Sequence, residues 1–189
     1  MTETKRRGRL WAGAMVAVTL VLGVGLYWFQ PWKLWQDATV HEALPAASPS
    51  AAAPGPTPSP TIPAAAPSAP AGPQTLAQGT LISHEHTTTG TAKLIRLPDG
   101  SRTLRLENLD TSNGPDLRVW LTDAPVQEGK AGWSVFDDGK YVSLGKLKGN
   151  KGDQNYEIPA DVNLADYSSV TIWCDRFDVS FGAAALATV

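Results

Sequence analysis

Val-Thr-Ile-Trp-Cys-Asp-Arg-Phe-Asp-Val-Ser-Phe, residues 170–181, holds the chain's only cysteine and sets its fold class. Val170, Ile172 and Cys174 alternate with Thr171, Trp173 and Asp175, the period of a strand with one apolar face. Cys174 is therefore expected to point inward. Phe177, Val179 and Phe181 resume the alternation in the opposite phase, so a bend, turn or bulge near Asp175 and Arg176 must absorb one residue. A lone cysteine makes no internal disulfide and supplies no four-thiolate zinc site. In an exported domain such a thiol is buried, capped, paired between chains or functional.

Outward from this stretch, short alternating segments punctuated by turn residues fill the C-terminal part. Thr80 to His84 and Thr91 to Leu97 read as strands. Asp99-Gly100 then closes a hairpin with Ser101 to Leu106. Leu117, Val119 and Leu121 alternate with Arg118, Trp120 and Thr122. Tyr141 to Leu147 and Gln154 to Ile158 flank Gly149-Asn150-Lys151-Gly152 as a further expected hairpin, and Pro159 ends its second strand because it has no amide donor. Residues 76–189 contain no convincing long amphipathic helix. The expectation is an all-β fold, an antiparallel sandwich of about 7–9 strands.

The N-terminal part is different in kind. Residues 1–9 form a basic tail with Lys5, Arg6, Arg7 and Arg9 against Glu3. Leu10 to Phe29 carries no formal charge, and a helix of that length, at about 1.5 Å per residue, spans roughly 30 Å of hydrocarbon. Positive charge before the span and little after it predicts a cytoplasmic N-terminus in the plasma membrane, with the remainder outside and a single pass. Tyr27, Trp28, Trp32 and Trp35 fall where an outer aromatic belt belongs. A cleaved signal peptide is the competing reading; the long run ending in Tyr-Trp-Phe-Gln-Pro-Trp, without a small-x-small site, favours an uncleaved anchor. Residues 30–75 read as a juxtamembrane segment and a disordered Pro/Ala-rich linker. Pro45 to Pro73 holds 10 of the 15 prolines, an extended spacer of up to roughly 90 Å that holds the domain of residues 76–189 away from the bilayer.

Charge narrows the partners. Residues 74–189 carry 11 basic and 15 acidic side chains, so nucleic acid is not expected. Asp137-Asp138-Gly139 and Gly152-Asp153 lack the spacing of a calcium loop and read as turns. No nucleophile elbow or zinc-hydrolase helix occurs, which favours a non-catalytic module over an enzyme.

Leu144 to Pro159, then Tyr167 with Val170 to Cys174, then Phe177 to Leu186 resemble the DM-thirteen domain. Gly79, His86, Gly90 and Gly114-Pro115-Asp116-Leu117 agree with it, and the likeness covers about residues 77–187. The resemblance implies a β-sandwich related to DOMON domains, on extracytoplasmic or cell-surface proteins. It implies electron transfer through a characteristic cysteine that acts as a bare thiol or holds a prosthetic group such as haem. Cys174 matches that cysteine.

Two readings of the chemistry stay open. In the first, Cys174 is a redox centre and His86 its partner. His84 and His86, taken as alternate residues on a strand, would leave one face and with Cys174 form a metal or haem site. No Cys-x-x-Cys-His occurs, which excludes covalent haem. In the second, Cys174 fills space like most free cysteines, and Trp120 with Trp173 forms a surface for a carbohydrate or protein. The cofactor and the redox partner are not specified by the residues.

Overall fold

A computed structural model describes residues 3–45 and 72–189. Most of the expected Pro/Ala spacer lies outside those residues. The first element, α1, runs Glu3–Phe29. Gly13–Lys33 is long and apolar enough to cross a membrane, and no residue of its apolar window is buried by the rest of the protein; a signal sequence would meet the same test. A left-handed Gln30 and the 3-10 turn Pro31–Trp35 end the helix, since Pro31 permits no helical continuation beneath it.

Eleven strands follow among the described residues, in two sheets. The first sheet contains β1 (Thr39–His41), β2 (Gln74–Thr80), β4 (Thr89–Arg96), β5 (Arg102–Asp110), β8 (Lys151–Ile158) and β11 (Ala187–Thr188), in the order β1-β8-β5-β4-β2-β11. The second contains β3 (Ile82–Ser83), β6 (Leu117–Thr122), β7 (Tyr141–Lys146), β9 (Ser169–Cys174) and β10 (Val179–Ala185), in the order β3-β10-β9-β6-β7. Every pairing is antiparallel except β1 with β8. The expected all-β sandwich is observed. Its strand count exceeds the expectation because β3 and β11 are two-residue bridges and β1 comes from the juxtamembrane segment.

The core between the sheets is aliphatic. Leu94, Leu104 and Leu106 from the first sheet meet Val119, Leu121, Val170, Ile172 and Cys174 from the second. Asp99-Gly100 closes the β4–β5 hairpin as expected, with Asp99 Oδ1 accepting from the Ser101 amide at 2.9 Å. The other expected hairpin is not one: β7 pairs with β6 and β8 with β5, so Lys148–Asn150 crosses between sheets. Gln154 anchors that crossing, its Nε2 donating to Gly149 O at 2.6 Å.

The chain enters the sandwich before the Pro/Ala stretch, at β1, and again after it, at β2. The two strands lie in one sheet four neighbours apart, about 19 Å at roughly 4.8 Å per step. The stretch between them therefore does not separate the sandwich from α1. Strand β1 is held by long-range polar contacts. Asn150 Oδ1 accepts from Ala38 N at 2.7 Å, while its Nδ2 donates to Asp37 Oδ1 at 2.7 Å. Glu42 accepts from Lys148 Nζ at 2.7 Å and from the Asn155 amide at 2.7 Å. Gly149 and Gly152 admit the strand: a Cβ on either would sit 2.3 Å from Ala38 O or 2.0 Å from Val40 O.

Candidate functional site

Strand β9 is central in its sheet, and all six of its residues are buried. Cys174 is its last residue, fully covered and free of a disulfide. The phase break read at Asp175 and Arg176 is a turn, 175–178, closed by Phe177 N donating to Cys174 O at 3.2 Å, with Asp178 at a left-handed φ of 50°. Strand β10 then runs back beside β9.

That turn sits on the end of α1. Arg176 donates to Trp28 O at 2.7 Å and to Tyr27 O at 3.3 Å, satisfying carbonyls that a helix C-terminus leaves open. Its guanidinium also lies 5.2 Å over the Trp28 ring. Phe177 stacks on Phe29 at 5.7 Å between centroids. Arg176 therefore serves the helix, and its charged group does not serve the sulfur. Sequence reasoning missed this contact, although an apolar Phe177 among three charged turn residues was a readable signal.

Burial pushes the Cys174 thiol above its ordinary value. The backbone amides of Arg176, Phe177 and Asp116 oppose that shift without cancelling it, and the Glu85 carboxylate adds to it. The thiol is protonated at neutral pH, a resting form unsuited to nucleophilic exchange. Around the strand ends, Arg118 pairs with Asp175 at 3.1 Å and with Asp116 at 3.3 Å.

The two histidines diverge. Strand β3 stops at Ser83, so His84 to His86 lies on a bend and not on one face of a strand. His84 is buried on the outer side of the second sheet, with Nδ1 2.8 Å from Ser180 Oγ and Nε2 3.1 Å from Gln127 O. Ser180 Oγ lies 2.8 Å from Thr171 Oγ1 in turn. His86 instead packs on Phe181, 3.9 Å between centroids, with Nε2 3.9 Å from Glu85 Oε2. Burial lowers the pKa of both rings, opposed by the Gln127 carbonyl at His84 and by Glu85 at His86.

The expected ligand set of His84, His86 and Cys174 is thus not brought together. Among the described residues no group of three His, Cys, Asp or Glu side chains is placed to hold a metal ion. The residues present do not fit a metal or haem on Cys174: the sulfur is sealed, one imidazole is committed to Ser180 and Gln127, and the other is stacked on Phe181.

Trp120 and Trp173 do take the outward phase of β6 and β9, but the surface expected there is covered. They are 3% and 1% exposed and pack with Phe136 and Ala183 in a second, smaller core. The loop of residues 123–140 forms the cover, closed by Asp123 N donating to Lys140 O and Lys140 N donating to Asp123 Oδ1, and tied to β10 by Ser180 N donating to Trp133 O at 2.7 Å. Trp120 stacks on Trp173 at 5.1 Å and on Tyr141 at 4.1 Å. A ligand face built from these two indoles is excluded by that loop.

Fold and site define a class: a two-sheet β-sandwich, docked on an apolar helix, with one covered thiol at the end that meets the helix. The chain belongs to the Electron transfer DM13 family, whose model matches residues 80–186. That span runs from the end of β2 to just past β10 and leaves α1 and β1 outside. A search of curated proteins and one of solved structures found no match.

Proposed function

We propose that the chain is an electron-transfer module fixed by α1 to the outer face of the plasma membrane, with Cys174 as its redox centre and His86 on the route to it. Family membership supports electron transfer. The basic residues in the first turns of α1, ahead of its uncharged run, support an outward-facing sandwich. The contact of Arg176 and Phe177 with the helix end supports retention of α1 as an anchor, because removing it would strip that turn of its partners. The observation that carries the reading is the position of Cys174 at the end of β9, directly behind the turn seated on α1.

In this reading the sulfur works as a bare thiol. Its cover and raised pKa keep it inert to nucleophilic exchange at rest, and its redox step would be the loss of one electron to a partner acceptor together with the thiol proton, both returned on reduction. Protein-film voltammetry of the natively purified full chain tests the role. One redox wave in the wild type, absent from Cys174→Ser with unchanged circular dichroism, is the expected result. A wave that survives the substitution, or none in either protein, overturns the assignment.

A further inference from the structure

A pocket of about 260 Å³ opens between the end of α1 and the sandwich. Its walls are mainly carbon: Phe29 and Pro31 from the helix end, Pro115 from the loop before β6, Phe177 from the turn and Phe181 from β10. Glu85 and His86 supply hydrogen-bonding groups on one side, with Lys33 also at the pocket. Phe181 belongs to the same packed core as Cys174, and the charge of Glu85 is felt at the sulfur.

Position, size and chemistry restrict the occupant. Phe29 is the last residue of α1, so the pocket lies at the level where the helix would leave the hydrocarbon, beside exposed Trp28 and Trp32. A ligand can enter from the interfacial layer of the bilayer. The volume is just below the range of about 300–1,000 Å³ that holds drug-sized molecules, suited to one substituted ring and too small for a macrocycle. Aromatic walls favour a flat ring. The neutral imidazole of His86 offers one N–H to a ring oxygen.

We propose that this pocket binds the ring of a membrane-borne quinone, its carbonyl oxygen on His86 and its face against Phe177 and Phe181. The inference rests on the electron-transfer reading and names the class of partner for it. The sulfur lies behind the pocket wall, so the ring would sit between the bilayer and Cys174.

The test uses the full chain in phosphatidylcholine nanodiscs with a photoreactive azido-quinone. Saturable labelling within residues 85–86 and 177–181, competed by decylubiquinone, is expected. His86→Leu should weaken the competition about five-fold, the loss of one hydrogen bond, while circular dichroism stays unchanged. Labelling that does not saturate, spreads along α1, is unchanged in His86→Leu, or is competed equally by a decyl-dimethoxybenzene without carbonyls overturns the proposal; the last result would mark a general apolar niche. The same labelling in Cys174→Ser should persist. Persistence there together with an unaltered voltammetric wave would remove the thiol's redox role and leave the pocket standing, whereas loss of site-specific labelling with a Cys174-dependent wave would do the reverse.

Discussion

Replacing Gly149 by alanine should loosen β1, and with it the grip that keeps the sandwich beside α1. Gly149 does not occupy the left-handed region, so alanine is acceptable to its own backbone. The conflict is with the strand: the new Cβ would lie 2.3 Å from Ala38 O and 2.8 Å from Val40 Cγ2. In the wild type, four part-buried side-chain hydrogen bonds hold this segment, Asn150 to Ala38 and Asp37, Arg105 to Glu42 O, and Glu42 to the Asn155 amide, beside exposed ones such as Lys148 to Glu42 that contribute little. At about 1 kcal/mol net each, the four give an opening free energy near 4 kcal/mol, or a protection of about 10³ for the β1 amides. Overpacking of this size costs about 1–3 kcal/mol, so protection should fall by roughly 10- to 100-fold. Hydrogen exchange of a peptide covering residues 36–45 measures it, with the β4–β5 hairpin as an internal reference that should not change. Protection of residues 36–45 within two-fold of the wild type would refute the argument, because it would mean that β1 does not lie where Gly149 admits it.

The Cys174 thiol in the native full chain should react with iodoacetamide at pH 7.5 at least about 100-fold more slowly than in the unfolded chain, an opening cost of about 3 kcal/mol; rates within a few-fold of each other refute its burial. Folded His84 and His86 have pKa values below the ordinary 6.5, so the stability they contribute is complete above that value and is lost as pH falls through the folded values. The urea midpoint should therefore drop between pH 7.5 and pH 5, and His84→Gln should flatten the drop; an identical slope in the variant excludes His84. Arg176→Ala removes two hydrogen bonds and a cation–π contact at the helix end and should weaken the protection of residues 175–178 by about 1–2 kcal/mol. Unchanged exchange there would show that the turn is not seated on α1.

Much of the sandwich was legible because its strands are short and two-sided. The alternation around Val170 and Leu117 and the Asp99-Gly100 turn depend only on neighbours along the chain, and the structure has both. Partner choice does not. Gly149 and Gly152 look like turn residues in either arrangement, and nothing local distinguishes a hairpin from a crossing between sheets. Strand β1 was hidden for the same reason: Thr39-Val40-His41 has no pattern of its own, and its place is written in the two glycines and Asn150, more than a hundred residues away.

The site was half legible, and the missing half is depth. Period two put Cys174 on the inner face and Trp120 and Trp173 on the outer one, and each is on that face. It carries no information on whether a face is open, and Phe136, brought over by the loop of residues 123–140, closed the outer one. The His84–His86 pair failed earlier, because the strand that would have aligned the rings ends at Ser83. For Cys174 depth is the chemical variable. A sulfur under a turn whose Arg176 and Phe177 are both engaged with α1 meets a reagent from solution only when those contacts yield. On the proposed reading, docking against the helix therefore sets how often the thiol is reachable, and perturbing Arg176 should change the rate of its alkylation without touching the residue itself.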